Sequence, residues 1–141
     1  MSKLLQRLSD ATKSGVYRAS TAGDVLDAAR GGTLAVARID VAGASGKEAL
    51  LRRIAEALAF PAWFGVNWDA LEDCLCDLSW SNAPGHVLLF EGAAGLAADV
   101  RGILVDVLAA AAESWAARGR PFFAVFVGED PALPALYRAR A

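Results

Sequence analysis

Three short apolar runs constrain this chain more than anything else in it: Thr33 to Val41 (TLAVARIDV), His86 to Phe90 (HVLLF) and Pro121 to Val127 (PFFAVFV). Each is too short for a typical helix, and apart from Arg38, Asp40 and His86 each is continuously apolar rather than strictly alternating. That is the pattern of strands covered on both faces. Segments with helical periodicity lie between them, and strands alternating with helices imply βαβ units and a parallel sheet. The sequence therefore predicts an α/β protein with a small parallel sheet of three core strands covered by helices. A fourth strand is expected if the brief Gly15-Val16-Tyr17-Arg18 segment joins. In 141 residues that are 55% apolar, one core is the simplest arrangement, and two would each sit near the lower size limit. Intrinsic disorder does not fit this composition.

The helical segments carry their own boundaries. Leu4, Leu5 and Leu8 share one side of a predicted helix from Lys3 to Thr12. Thr21-Ala22-Gly23-Asp24 has the spacing of a capping box, with Val25, Leu26 and Ala29 following at helical intervals and Gly31-Gly32 ending the run. Ser45-Gly46-Lys47-Glu48 reads as a stronger box, opening a helix whose Leu50, Leu51, Ile54 and Leu58 form a stripe stopped by Pro61. Asn67 is placed to cap a third helix running to about Leu78. After a turn at Asn82-Ala83-Pro84-Gly85, a long helix is predicted from Leu96 to Ala117. On this reading residues 1–32 are an N-terminal extension (helix, short strand, helix) packed on a main domain of residues 33–141.

The beginning of the chain lacks the apolar run of a secretory signal, no segment approaches a membrane span, and Cys74 and Cys76 are the only cysteines. The cytosol is the expected compartment. The net charge of −2 conceals an uneven distribution. No Lys or Arg occurs between Arg53 and Arg101, a stretch carrying Glu56, Asp69, Glu72, Asp73, Asp77, Glu91 and Asp99, or −7, whereas the remainder is +5. Such a segment repels nucleic acid and suits a cationic partner.

Within it, Phe60 to Leu78 (FPAWFGVNWDALEDCLCDL) holds the densest chemistry. At about 100° per residue, Asp69, Asp73 and Asp77 fall one turn apart on one helix face, with Glu72 and Cys76 beside them. Ala70, Leu71, Cys74, Leu75 and Leu78 take the core side. Like charges four residues apart repel by a few tenths of a kcal/mol per pair, and only Asp69 is near enough to the helix N-terminus to recover some of it. The stripe thus opposes helix stability unless something cationic binds it. Trp63, Phe64 and Trp68 crowd the preceding loop with Gly65. Phe64 is expected to roof the core, and Trp63 or Trp68 to serve as an interface anchor. Gly65 would supply a positive φ or leave room for a partner.

Other signals are weaker. Cys74-x-Cys76 lacks a second pair, so it reads as one buried cysteine and one incidental one rather than a metal site. His86 sits at a strand start after a turn, with no visible Ser or Cys partner, and reads as structural. Asp69, Glu72 and Asp73 could hold Mg²⁺ for a hydrolytic reaction, but no phosphate-binding loop accompanies them. No cofactor is indicated.

The run Phe60-Pro61, Trp63-Phe64-Gly65, Asn67, Asp69-Ala70-Leu71, Asp73-Cys74-Leu75 resembles the signature of barstar-type ribonuclease inhibitors, and the likeness extends more loosely from Leu34 to Val127. The resemblance implies a barstar-like fold and a non-enzymatic inhibitor that occludes a basic ribonuclease. It implies that Asp73 enters the ribonuclease active site where substrate phosphate would bind. Asp69 would be a second contact acid, Trp63 an aromatic anchor, and Gly65 and Asn67 contact-loop residues. With Trp68, Glu72 and Asp77 from the helix pattern, these form the predicted partner-binding set. Glu113, near the end of the long helix, is a further candidate acid. Glu72 departs from the family pattern, which has an aromatic there, and Val66 stands where the small inhibitors have an acid. Residues 1–32 have no counterpart in them. The implied partner is a basic ribonuclease or a similar cationic protein, with no direct nucleic-acid or membrane contact; the other readings are a barstar-like module for a non-nuclease partner and a metal-dependent hydrolase.

Overall fold

The computed structural model describes residues 3–30, 32–128 and 130–137. Its centre is a parallel sheet in the order β1-β4-β3-β2. Strand β2 (Ala35–Asp40) pairs with β3 (His86–Glu91) from Ala35 opposite His86 to Asp40 opposite Glu91. Strand β3 pairs in turn with β4 (Phe122–Val127). The conditional fourth strand is present: β1 (Gly15–Ala19) joins the far side of β4, with Gly15 opposite Phe123 and Ala19 opposite Val127.

The two central strands are buried at every residue except the last of each, as continuous apolar runs require. Strand β2 lies at an edge, which explains why its run is broken by charge. Arg38 and Asp40 are exposed and Ile39 is buried between them. Charged side chains on an open edge discourage further strand pairing. Arg38 grips Glu91 of β3 through two hydrogen bonds of 2.8 and 2.9 Å, which holds the Glu91 carboxyl below its ordinary pKa. The outer side of β1 is occupied by the chain around Ala135: Arg18 N–H donates to Pro134 O, and Leu136 N–H to Arg18 O.

Side chains alternate across the sheet and feed two cores. Leu88, Phe90, Phe122, Ala124 and Phe126 face helices α3 (Lys47–Ala57), α4 (Trp68–Asp77) and α5 (Ala98–Ala117). Val87, Leu89, Phe123 and Val125 face the other way, against Leu8 of α1 (Lys3–Leu8), Val25 of α2 (Ala22–Ala29) and Leu136. The first thirty residues thus supply an edge strand and part of the cover for a sheet face. Among the described residues no helix is long and apolar enough to cross a membrane.

Several helix boundaries differ from the sequence pattern for local reasons. The first helix stops at Leu8 because Asp10 caps a separate 3₁₀ turn, Ala11–Lys13, by accepting from Thr12 N–H. Thr21 caps α2 as predicted, accepting from Asp24 N–H at 3.3 Å, but the Asp24 carboxylate accepts from Tyr137 Oη instead of closing the box. The box predicted at Ser45 does not form. Gly46, with φ 89°, occupies the cap position without a side-chain bond, and Glu48 pairs with Arg52 one turn on. The long helix begins at Ala98, after a 3₁₀ turn at Ala93–Gly95. Helix α3 ends at Ala57, before Pro61 acts: Phe60 N–H reaches Ala55 O at 2.9 Å and Ala59 N–H reaches Glu56 O at 3.3 Å. This reversal places Ala59 at φ 53°, a left-handed conformation that a Cβ disfavours by roughly 1–2 kcal/mol.

His86 opens β3 in a buried position. Its Nε2 lies 3.0 Å from Ser81 Oγ, and its ring centroid is 5.1 Å from that of Trp115. The sequence did not reveal Ser81 as its partner, because the two meet only across the turn. Among the described residues Nδ1 is buried without a hydrogen-bond partner, so none of their carboxylates orients the ring. Burial, reinforced by the Arg120 charge, lowers the His86 pKa.

Two measurements check these features. Exposed Ala59 relieves strain when made glycine, so Ala59→Gly should stabilise the protein by about 0.5–1 kcal/mol in denaturant melts; a loss of stability would show that the left-handed turn is not strained. His86 is held neutral in the fold, whereas in the unfolded chain it titrates near its usual value of about 6.5. Above that pH both states are neutral and its contribution is complete. As pH falls towards the lower folded pKa only the unfolded state gains the proton, so stability should decline. His86→Leu should flatten that part of the stability–pH curve, and an unchanged slope would assign the effect to another group.

Candidate functional site

Helix α4 begins where Asn67 accepts a hydrogen bond from Ala70 N–H at 2.8 Å, the cap expected from its residue type. Leu71, Cys74 and Leu75 are buried, whereas Asp69, Glu72, Asp73 and Asp77 are exposed. The helical spacing therefore sorted these residues correctly, but Cys76, expected beside the acids, packs on the core, and Ala70, expected in the core, is half-buried. Burying each leucine contributes about 1.5–3 kcal/mol, against a few tenths for each Asp–Asp repulsion. Packing wins, and the helix tolerates an acidic outer face.

No ion pair involves Asp69, Glu72, Asp73 or Asp77 among the described residues. Only Asp77 has a local side-chain partner, accepting from Ser79 Oγ at 3.1 Å. The cation packed against α4 is Arg118, and it serves the backbone instead. Its Nη2 donates to Cys76 O at 2.6 Å while its guanidinium carbon lies 4.0 Å from the Trp115 ring centroid. Trp115 Nε1 donates to Leu75 O at 2.7 Å, and Leu78, at φ 42°, returns its N–H to Cys74 O. The carbonyls of Cys74, Leu75 and Cys76, at the C-terminal end of α4, are therefore satisfied. Neither Trp115 nor Arg118 was singled out by sequence reasoning. Their spacing on α5 marks a core position and a helix end, but nothing in it indicates carbonyls forty residues away.

The loop before α4 is held by aromatic edges. Phe60 meets Phe64 with ring centroids 5.0 Å apart and Trp80 at 5.9 Å, and Trp80 Nε1 ties back to Leu58 O at 3.0 Å. Phe64 packs on the core as expected. Trp63 stands out, 64% exposed, while Trp68 is half-buried and packs on the core. Of the two candidate anchors, Trp63 is thus the one presented to solvent. Gly65 is exposed, and its φ is not in the left-handed range; a Cβ there would meet only Asn67 Nδ2, at 3.4 Å. Of its two suggested roles, an open approach for a partner is the one compatible with this geometry. Glu113 is exposed on α5, which packs against α4.

Among the described residues no group of three or more His, Cys, Asp or Glu side chains is arranged to hold a metal ion. Burial, with Asp73 and Asp77 adding to it, raises the Cys74 pKa, and burial also raises that of Cys76. Burial thereby disfavours the thiolate form of both, while a Ser114 hydrogen bond and Arg118 act the other way at Cys76.

A parallel α/β sheet with an acidic helix packed on its α3–α5 side and an exposed Trp beside that helix defines an α/β protein with an exposed, negatively charged helix face. Residues 34–127 match the family model for barstar (barnase inhibitor), and the chain belongs to the barstar family. The matched span runs from just before β2 to the end of β4. It contains all of α4 and leaves β1, α1 and α2 outside. No curated protein matches the chain.

The electrostatics of α4 have a direct consequence. Asp77 lies at the end of the helix where negative charge is least favourable, so Asp77→Asn should leave the free protein as stable or about 0.2–0.5 kcal/mol more stable. A loss above about 1 kcal/mol in thermal or denaturant melts would give the Ser79 hydrogen bond the larger role.

Proposed function

We propose that this chain is a cytosolic protein inhibitor, without catalytic activity of its own, that occludes the active site of a basic ribonuclease through α4 and the loop before it. The observation that carries this reading is the set of exposed carboxylates at Asp69, Glu72, Asp73 and Asp77, none in an ion pair with a cation among the described residues, on a helix capped at both ends. Membership of a family named for barnase inhibition supports it. Trp63, Gly65, Asn67 and Trp68 complete the contact set, with Trp63 as the protruding anchor.

The mechanism is charge mimicry. A ribonuclease gathers Lys, Arg and His side chains to hold phosphate, and must leave them partly unpaired to do so. A helix that presents Asp69 and Asp73 offers carboxylates where phosphates would sit, in charge-assisted hydrogen bonds. The uncompensated acidic face accelerates encounter, and desolvated pairs at its centre slow departure. Because the helix is already capped and packed, little ordering accompanies binding. Neutral Val66 and acidic Glu72, at positions where related inhibitors carry an acid and an aromatic, favour a second reading: the same face docks on a cationic protein other than a nuclease.

Asp73 is the decisive position. It is exposed mid-helix between buried Leu71 and Cys74–Leu75, so Asp73→Ala should leave the melting curve of the free protein essentially unchanged. In the complex the same truncation strands partner cations without a counter-charge. The expected loss is about 2–5 kcal/mol, a range drawn from measured charged pairs at such interfaces, this inhibitor family among them. That corresponds to roughly 30- to several-thousand-fold in affinity, mostly in the dissociation rate. The check is binding kinetics against the partner captured from native cells and eluted in high salt. An Asp73→Ala variant that binds within threefold of the parent would place the inhibitory surface elsewhere.

A further inference from the structure

We infer that Arg118 is a positioning residue for the acidic face: it holds the C-terminal end of α4 without neutralising any of the carboxylates. The inference rests on α4 being the partner-binding helix. Asp73 and Asp77 both add negative charge to the half of the helix whose dipole is already negative. The usual remedy, a cation paired with one of those acids, would mask the surface. Arg118 avoids that conflict through its geometry. Its guanidinium donates to a carbonyl oxygen, Cys76 O at 2.6 Å, and through Nε to Ser114 O at 3.4 Å. It also lies 4.0 Å from the ring centroid of Trp115, whose own Nε1 holds the neighbouring carbonyl, Leu75 O, at 2.7 Å.

The side chain is preset by this stacking, so its charge sits at the negative end of α4 while, among the described residues, no hydrogen bond or ion pair joins it to Asp69, Glu72, Asp73 or Asp77. A planar, fork-shaped donor that also stacks on an aromatic face is what arginine offers and lysine does not. The charge requirement and the hydrogen-bond requirement are therefore separable by substitution. Arg118→Gln keeps a donor and loses the charge; Arg118→Lys keeps the charge and loses the planar stack; Arg118→Ala loses both.

Amide hydrogen exchange on the free full-length protein tests the positioning directly. In Arg118→Ala the amides of the last turn of α4, Cys76 to Leu78, should exchange about tenfold faster, as loss of one charge-assisted hydrogen bond implies. The amides of β3 and β4 should be unchanged. Arg118→Lys should restore most of the protection, and Arg118→Gln less than Lys. Equal acceleration across α4, β3 and β4 would show a merely structural role and overturn the inference, as would unchanged exchange in the last turn. Binding is then read with barnase as the probe: dissociation of Arg118→Ala should quicken about three- to tenfold with association nearly unchanged, in the same rank order of variants. An undisturbed dissociation rate beside a loosened last turn would also overturn it. Absence of binding by the parent protein itself would instead count against the ribonuclease reading, with the exchange data still deciding whether Arg118 holds the helix.

Discussion

Strands β3 and β4 are buried on both sides, so neither face of the sheet can be left to solvent. On one face α3, α4 and α5 close over Leu88, Phe90, Phe122, Ala124 and Phe126; on the other α1, α2 and Leu136 help to close over Val87, Leu89, Phe123 and Val125. The rest of the structure depends on this two-sided burial, because a parallel sheet has no favourable arrangement with a wet face. It gives a physical reason for residues that precede the matched family span. They add β1 beside β4 and supply part of the second layer. It also frees α4 from any duty on its outer side, since Leu71, Cys74 and Leu75 suffice to anchor it.

That freedom is where stability and function meet. An exposed helix can carry repelling acids because each repulsion is worth tenths of a kcal/mol while each buried leucine is worth several times more. The residual strain falls at the helix ends, and both ends are looked after. Asn67 caps the first turn. Trp115, Arg118 and the left-handed Leu78 satisfy the carbonyls of the last. None of those contacts involves a carboxylate of the acidic stripe, so the helix ends are held while, among the described residues, no cation pairs with its acids. On the function proposed above, such a surface would speed charge-steered association with a cationic protein.

Much of this organisation could be read along the chain. Apolar runs announced strands β2, β3 and β4, although β2 proved to be an edge strand with only Ile39 buried. The spacing of Leu71, Cys74 and Leu75 against Asp69, Asp73 and Asp77 separated the two faces of α4, apart from Cys76, which was expected beside the acids and packs on the core. The misreadings are local. Ser45 was expected to cap α3 by its pattern alone, yet Gly46 takes that place with φ 89°. Asp10 splits the first predicted helix because its carboxylate competes for a backbone N–H. Trp63 and Trp68 could not be told apart by sequence, since five residues of separation do not reveal which indole finds a surface to pack on.

The sequence by itself determined the parallel α/β class, the division of α4 into core and acidic sides, and the absence of positive charge between Arg53 and Arg101. These follow from periodicity and composition, which act over a few neighbouring residues. Only the tertiary structure decided that β1 joins the sheet beside β4, that His86 meets Ser81 across a turn, and that Trp115 and Arg118 hold the end of α4. Those contacts join residues far apart in the chain or across a turn. Their energies come from which groups are left unsatisfied once the layers have packed, a condition that exists only in the folded molecule.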